Sequence, residues 1–191
     1  LIQLFENAYL NHNNLSEASR YLVNELFGRS ETGIGVSYLR VSVGASDLSA
    51  SVFSYNDLAI GQTDIGLTQF TLSQDTIDLI PVLQEILSIN PAIKIMASPW
   101  SPPVWMKDNK SSVGGKLMKE FYPVYANYFV KYIQQMKLKG ITIDAVTIQN
   151  EPMATQIWES SIYSAEEERD FLKLYLGPTM EKEGLGDKKI I

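Results

Sequence analysis

Helical and strand periodicities that alternate along the chain, strands that are apolar on both faces, and polar residues gathered where those strands stop predict a parallel β/α fold. Within that class they predict part of a (β/α)8 TIM barrel, whose chemistry sits at the carboxyl ends of its strands. No low-complexity segment or linker divides the chain, so residues 1–191 read as one partial catalytic domain, about strands two to five, truncated at both ends.

Leu15, Ala18, Leu22 and Leu26 recur at helical spacing and Gly28 follows as a stop, predicting a first helix. Val36 to Val43 reads as a buried strand carrying Arg40. The polar stretch after it, with Gly44, Asp47, Asn56, Gly61 and Gly66, is far longer than a minimal strand-to-helix turn, and long barrel loops build sites. Ile77, Ile80, Leu83, Ile86 and Leu87 predict a second helix with Pro81 in its first turn, the interior place a proline tolerates. Ile93 to Ser98 is the next strand and runs into the rigid, aromatic loop Pro99-Trp100-Ser101-Pro102-Pro103-Val104-Trp105. Phe121, Tyr125, Tyr128, Phe129, Tyr132, Ile133 and Met136 share one face of a third helix closed by Gly140, and are read as core rather than a binding stripe. Ile141 to Ile148 forms the following strand. Ser164 and Glu167 make a capping box for a fourth helix buried through Phe171, Leu172, Tyr175 and Leu176. The acidic run Glu166-Glu167-Glu168 complements the dipole of that helix and needs no chemistry. Lys189-Ile190-Ile191 reads as the opening of another buried strand.

A barrel is preferred to an open doubly wound sheet because no GxGxxG or GxxxxGK[ST] follows any strand. Composition narrows the chemistry further. With 45% hydrophobic and 10% aromatic residues the chain has material for a sizeable core. A net charge of -6 without a basic cluster argues against nucleic acid and anionic membranes as partners, and no apolar stretch is long enough for a membrane span. A neutral substrate fits this balance. There are no cysteines and one histidine, His12, read as a loop residue, so thiolate chemistry, a HExxH zinc site and a Ser-His-Asp triad are all excluded. The residues call for no metal and no cofactor.

Asn150-Glu151-Pro152 is the most informative motif. A buried strand ending on an amide, a carboxyl and a proline delivers Glu151 to the rim of the sheet, which makes it a candidate proton donor. Asn150 supplies an amide for a substrate hydroxyl, and Pro152 ends the ladder because it lacks an N–H. Arg40, Asp47 and Trp100 are the other notable residues at or just beyond the carboxyl ends of successive predicted strands. Each has a structural alternative: a solvated strand end for Glu151, a structurally paired strand residue for Arg40, a turn or cap for Asp47, and core for Trp100.

In order along the chain, Tyr38-Leu39-Arg40-Val41-Ser42 with Ser46-Asp47, Ala97-Ser98-Pro99-Trp100-Ser101-Pro102-Pro103-Val104-Trp105-Met106-Lys107, Tyr128-Phe129-Val130-Lys131-Tyr132 and Ala145-Val146-Thr147-Ile148-Gln149-Asn150-Glu151-Pro152 resemble the retaining glycosidases of glycoside hydrolase family 30. That group includes glucosylceramidases and microbial β-1,6-glucanases. The resemblance runs from about Ala8 to Ile191. It implies that Glu151 is the general acid/base at the end of barrel strand four, and that Arg40, Asp47, Trp100 and Asn150 line the sugar subsite. It also implies a β-glucoside or β-glucan substrate and a secreted or periplasmic protein. In such enzymes the proton donor and the nucleophilic carboxylate stand about 5 to 5.5 Å apart.

Two departures stand out. Leu1 to Asn7 does not read as the family's glycine-rich first strand, and the family's nucleophile lies near the end of strand seven, whereas this chain stops as strand five begins. Asp108, Glu120, Glu159 and Glu181 are spare carboxylates, and none ends a predicted strand. Two competing classes follow: an inactive carbohydrate-binding barrel lacking the second carboxylate, and a barrel lyase or aldolase. The second needs a strand-end lysine or a metal cluster, and Lys94 is read as mid-strand.

Overall fold

The computed structural model describes residues 17–31 and 33–191, with side chains from Arg20 onward. The expectations for Leu1 to Asn7, His12 and Leu15 lie outside these described residues, and that for Ala18 outside the described side chains. Four strands, β1 (Tyr38–Val43), β2 (Lys94–Pro99), β3 (Ala145–Val146) and β4 (Lys189–Ile190), form one parallel sheet in chain order. Between them lie helices α1 (Glu17–Phe27, before β1), α2 (Leu79–Ile89), α3 (Tyr122–Leu138), and α4 (Ala165–Phe171), which passes through a π turn over Leu172–Leu176 into α5 (Gly177–Lys182).

Alternation along the strands sets the two faces of the sheet. Leu39, Val41, Val43, Ile95, Ala97 and Val146 are buried with the helices in one continuous core. Opposite them stand Tyr38, Arg40, Ser42, Lys94, Met96, Ser98 and Ala145, in matching register across β1, β2 and β3. A (β/α)8 barrel turns this second face inward. The first face carries the apolar burial that holds the sheet and helices together.

Helix α3 is the best-packed element. Tyr125, Tyr128, Phe129, Tyr132, Ile133 and Met136 are all buried, as the periodicity predicts, while Phe121 closes the short 3-10 turn ahead of it. Tyr55, from the long loop after β1, stacks on Tyr132 with ring centroids 5.5 Å apart, and its N–H donates to the Tyr128 hydroxyl at 3.0 Å. That loop is therefore fastened to the core rather than free. In α4 both halves of the capping box form: Ser164 Oγ accepts from Glu167 N–H at 3.2 Å, and Glu167 Oε2 accepts from Ser164 N–H at 2.7 Å.

Three expectations change. Leu22 is 52% exposed, because α1 buries Val23 and Phe27 instead; one residue of rotation moves the apolar stripe off the predicted face. Ile77 is 50% exposed and precedes α2, whose first turn is capped by Asp78 accepting from Leu79 N–H. The strand predicted over Ile141 to Ile148 shrinks to Ala145–Val146. Ile141 and Ile143 are nevertheless fully buried, so apolarity there reports core depth and not ladder length.

Candidate functional site

The site is built on the carboxyl ends of β1, β2 and β3. Arg40 projects from the face of β1 opposite the helices, and one nitrogen of its guanidinium, Nη2, donates to Ser98 Oγ on β2 and to Asn150 Oδ1 beyond β3, each at 2.8 Å. Its Cζ lies 4.9 Å from the centre of the Trp100 ring. Cation, indole and amide thus form one cluster, with Ser98 and Thr147 hydroxyls hydrogen-bonded beneath it. Ser98 is fully buried, so a single guanidinium contact organises residues from all three strand ends.

A local irregularity brings Asn150 into that cluster. Thr147 N–H donates to Ala97 O at 3.0 Å and Asn150 N–H to Pro99 O at 2.8 Å, so the chain after β3 advances three residues while β2 advances two. One extra residue is accommodated, as in a bulge. Simple alternation would put Asn150 on the face opposite Thr147; the extra residue turns it back toward Arg40. Gln149, buried at this irregularity, donates its side-chain amide to Trp100 O at 2.6 Å and to Asn150 O at 3.0 Å, tying the two loops together. Because Oδ1 of Asn150 accepts from Arg40, its NH2 group remains to donate outward.

Glu151 follows in the left-handed region, at φ 47°, a conformation that costs a side-chain-bearing residue about 1–3 kcal/mol and persists where the surroundings impose it. Ala154 N–H donates to Glu151 O at 3.0 Å, closing a turn, and Tyr163 N–H donates to Pro152 O at 2.8 Å. The carboxyl is exposed and accepts from Gln156 Nε2 at 3.0 Å. Asp47 is exposed in the turn Ser46–Ser49 on the loop after β1, and its carboxyl makes no hydrogen bond among the described residues. Arg40, Trp100 and Asn150 are therefore joined directly, Glu151 is covalently next to them, and Asp47 stands on the same end of the sheet without touching them.

Ser98, Thr147, Gln149 and Gln156 were not singled out by sequence. For Ser98 and Thr147 the one signal is polarity where a predicted strand is otherwise apolar; Gln149 and Gln156 lie in the stretch after β3 and carry no such signal. Lys94, the lysine that a lyase would need, opens β2 at its amino end and pairs with Asp144 at 2.8 Å, away from the carboxyl ends where Arg40 and Asn150 meet. Of the spare carboxylates, Glu159 is buried in the loop between β3 and α4, and none of the four ends a strand.

An endo-1,6-β-D-glucanase of Neurospora crassa is 37% identical over 173 residues, which are 87% of this chain and 35% of that protein. A putative glucosylceramidase 1 of Caenorhabditis elegans is 31% identical over 173 residues, 85% of this chain and 32% of that one. Among solved structures, the endo-β1,6-glucanase BT3312 superposes with a TM-score of 0.83 at 39% identity, covering 92% of this chain and 39% of its own. The chain thus spans about a third of the length of the first two relatives and about two fifths of the solved structure. No helix among the described residues is long and apolar enough to cross a membrane. Residues 4–191 match the glycosyl hydrolase family 30 TIM-barrel domain, and the chain belongs to that family.

Proposed function

We propose that this chain carries the proton-transfer half of the active site of a retaining β-glycosidase acting outside the cytoplasm on β-linked glucosides or glucans, with Glu151 as general acid/base and the nucleophilic carboxylate supplied from outside these residues. The joining of Arg40, Trp100 and Asn150 immediately beside Glu151 is the observation that supports this reading. The glucanase and glucosylceramidase relatives point to the substrate class.

In the first step the Glu151 carboxyl gives its proton to the glycosidic oxygen as the C–O bond breaks, while the nucleophile's carboxylate bonds to the anomeric carbon. In the second, Glu151, now a carboxylate, takes a proton from water whose oxygen attacks the same carbon and releases the nucleophile. Trp100 presents its ring to the apolar face of the sugar. The free NH2 of Asn150 donates to the 2-hydroxyl, a contact that tightens as the oxocarbenium-like transition state forms. Arg40 spends one nitrogen on Ser98 and Asn150, which leaves Nε and Nη1 to hold a neighbouring carboxylate ionised. Asp47 accepts from sugar hydroxyls once substrate bridges its loop to the cluster.

The test is Glu151→Gln in the full-length protein. Glycosylation of substrates with poor leaving groups should fall by roughly 100- to 10,000-fold, the range for a lost proton donor, and much less for activated aryl glycosides. Azide, a nucleophile that needs no base, should restore turnover on activated substrates and yield a glycosyl azide of retained configuration. Equal loss across leaving groups without azide rescue would assign Glu151 to binding and favour a non-catalytic carbohydrate-binding barrel.

A further inference from the structure

Lys107 is fully buried, and its Nζ donates to Ser160 O at 2.7 Å, Ser101 Oγ at 2.9 Å and Ser112 O at 3.2 Å. The Ser101 hydroxyl donates to Pro102 O at 3.0 Å, so it can only accept from the lysine. All three contacts therefore draw on the three N–H donors of an ammonium group. Two carbonyls and a hydroxyl, with no carboxylate, are unusual company for a buried cation, and a methionine of similar length would fill the space without a desolvation cost. The arrangement calls for a reason beyond packing.

The three acceptors come from three different segments. Ser101 follows Trp100 directly. Ser112 lies in the loop that Lys107 itself opens by bridging to Leu117. Ser160 belongs to the loop that starts at Glu151, and it is the anchor of that loop: its N–H donates to Ser112 O at 2.9 Å, and its Oγ accepts from Gly114 N–H at 2.9 Å and from Gln156 N–H at 3.3 Å. Gln156 in turn donates to Glu151. One path of contacts runs from the indole-bearing loop through Lys107 to the carboxyl. We infer that Lys107 is a positioning residue that fixes the Glu151 carboxyl relative to the Trp100 platform by tying the two loops to one buried cation.

The inference rests on Glu151 being the acid/base, and its test uses the full-length protein with an alkyl and a dinitrophenyl β-glucoside. A variant that merely folds less well loses both activities in the same proportion. A displaced proton donor hurts only the substrate that needs protonation. For Lys107→Met, kcat/KM on the alkyl glucoside should fall on the order of 10- to 100-fold more than on the dinitrophenyl glucoside, the scale of an ångström-sized misplacement. Ser101→Ala, which removes that acceptor together with the hydroxyl's local bond to Pro102 O, should move the ratio in the same direction by a few-fold. It carries the test if Lys107→Met does not fold. Glu151→Gln separates the two ideas. If that variant shows the steep leaving-group dependence while Lys107→Met and Ser101→Ala leave the ratio unchanged, the role of Lys107 is overturned alone. If Glu151→Gln itself is flat, the acid/base reading fails first and the positioning role falls with it.

Discussion

At the scale of single residues, two buried ionisable groups give this fold a characteristic response to pH. Asp75 is 3% exposed, accepts from the Tyr55 hydroxyl at 2.6 Å, and is pushed up to about 7 by burial, against an ordinary 3.8. The folded state holds the proton more tightly than the unfolded chain does, so the contribution of Asp75 to stability is present in acid and is lost as pH rises from about 3.8 through about 7. Burial pushes Lys107 the other way, down to about 7 from 10.5, with Asp108 opposing. Between those values the unfolded chain binds the extra proton, so the penalty of burying Lys107 is full in acid and is relieved as pH climbs from about 7 to 10.5. The two groups together place a minimum of their joint contribution to stability near neutrality. Urea unfolding of the full-length protein across pH should show Asp75→Asn removing the downward slope on the acid side and Lys107→Met removing the rise on the alkaline side. Unchanged slopes in both variants would mean that neither group titrates in this window.

At the scale of elements, the capping box of α4 gives a clean test because the Ser164 hydroxyl bonds only within the first turn of that helix, to Glu167 N–H and to the Glu166 carboxylate. Ser164→Ala should destabilise the protein by about 1 kcal/mol, seen as a lowered thermal midpoint, with the ratio of activities on good and poor leaving groups unchanged. A shift in that ratio would mean that the cap also orders the Glu151 loop. The cap was legible in sequence because its two side chains answer each other three residues apart, and the buried face of α3 was legible because six large residues, Tyr125, Tyr128, Phe129, Tyr132, Ile133 and Met136, recur at helical spacing. Elements fixed by non-local contacts were not legible. The third strand looked long because Ile141, Ile143 and Ile148 are apolar, yet its ladder is two residues. Nothing in that run announces the extra residue that returns Asn150 to the face of Arg40. Lys107 reads as an ordinary lysine after an apolar turn, since two of its three acceptors are backbone carbonyls, which carry no residue identity. Arg40, Trp100, Asn150 and Asp47 could be named as candidates because their chemistry is in their side chains; that the first three touch one another is a non-local fact of the fold.

At the scale of the molecule, the sheet is finished on one face and open on the other. The helices cover Leu39, Val41, Val43, Ile95 and Ala97, whereas Tyr38 is 48% exposed, Ile191 is 67% exposed, and Arg40, Lys94 and Lys189 face solvent. β1 and β4 are the two outer strands of the four, so each leaves one side of its ladder without a strand partner among the described residues. A barrel abolishes such edges by closure. The open face is mostly polar or small, so its apolar area offers little drive to associate. The unpaired backbone edges, and the exposed Tyr38 ring on one of them, carry that tendency instead. The 191-residue chain expressed by itself should therefore elute as concentration-dependent oligomers on size-exclusion chromatography with light scattering, and not as a cooperatively unfolding monomer. Tyr38→Lys places a charge on the β1 edge at an already exposed position and should shift the distribution toward monomer without altering the far-ultraviolet spectrum. If the unmodified chain instead stays monomeric and melts in one transition, the four-stranded sheet is self-sufficient, and the open face belongs to the native surface and not to a barrel interior.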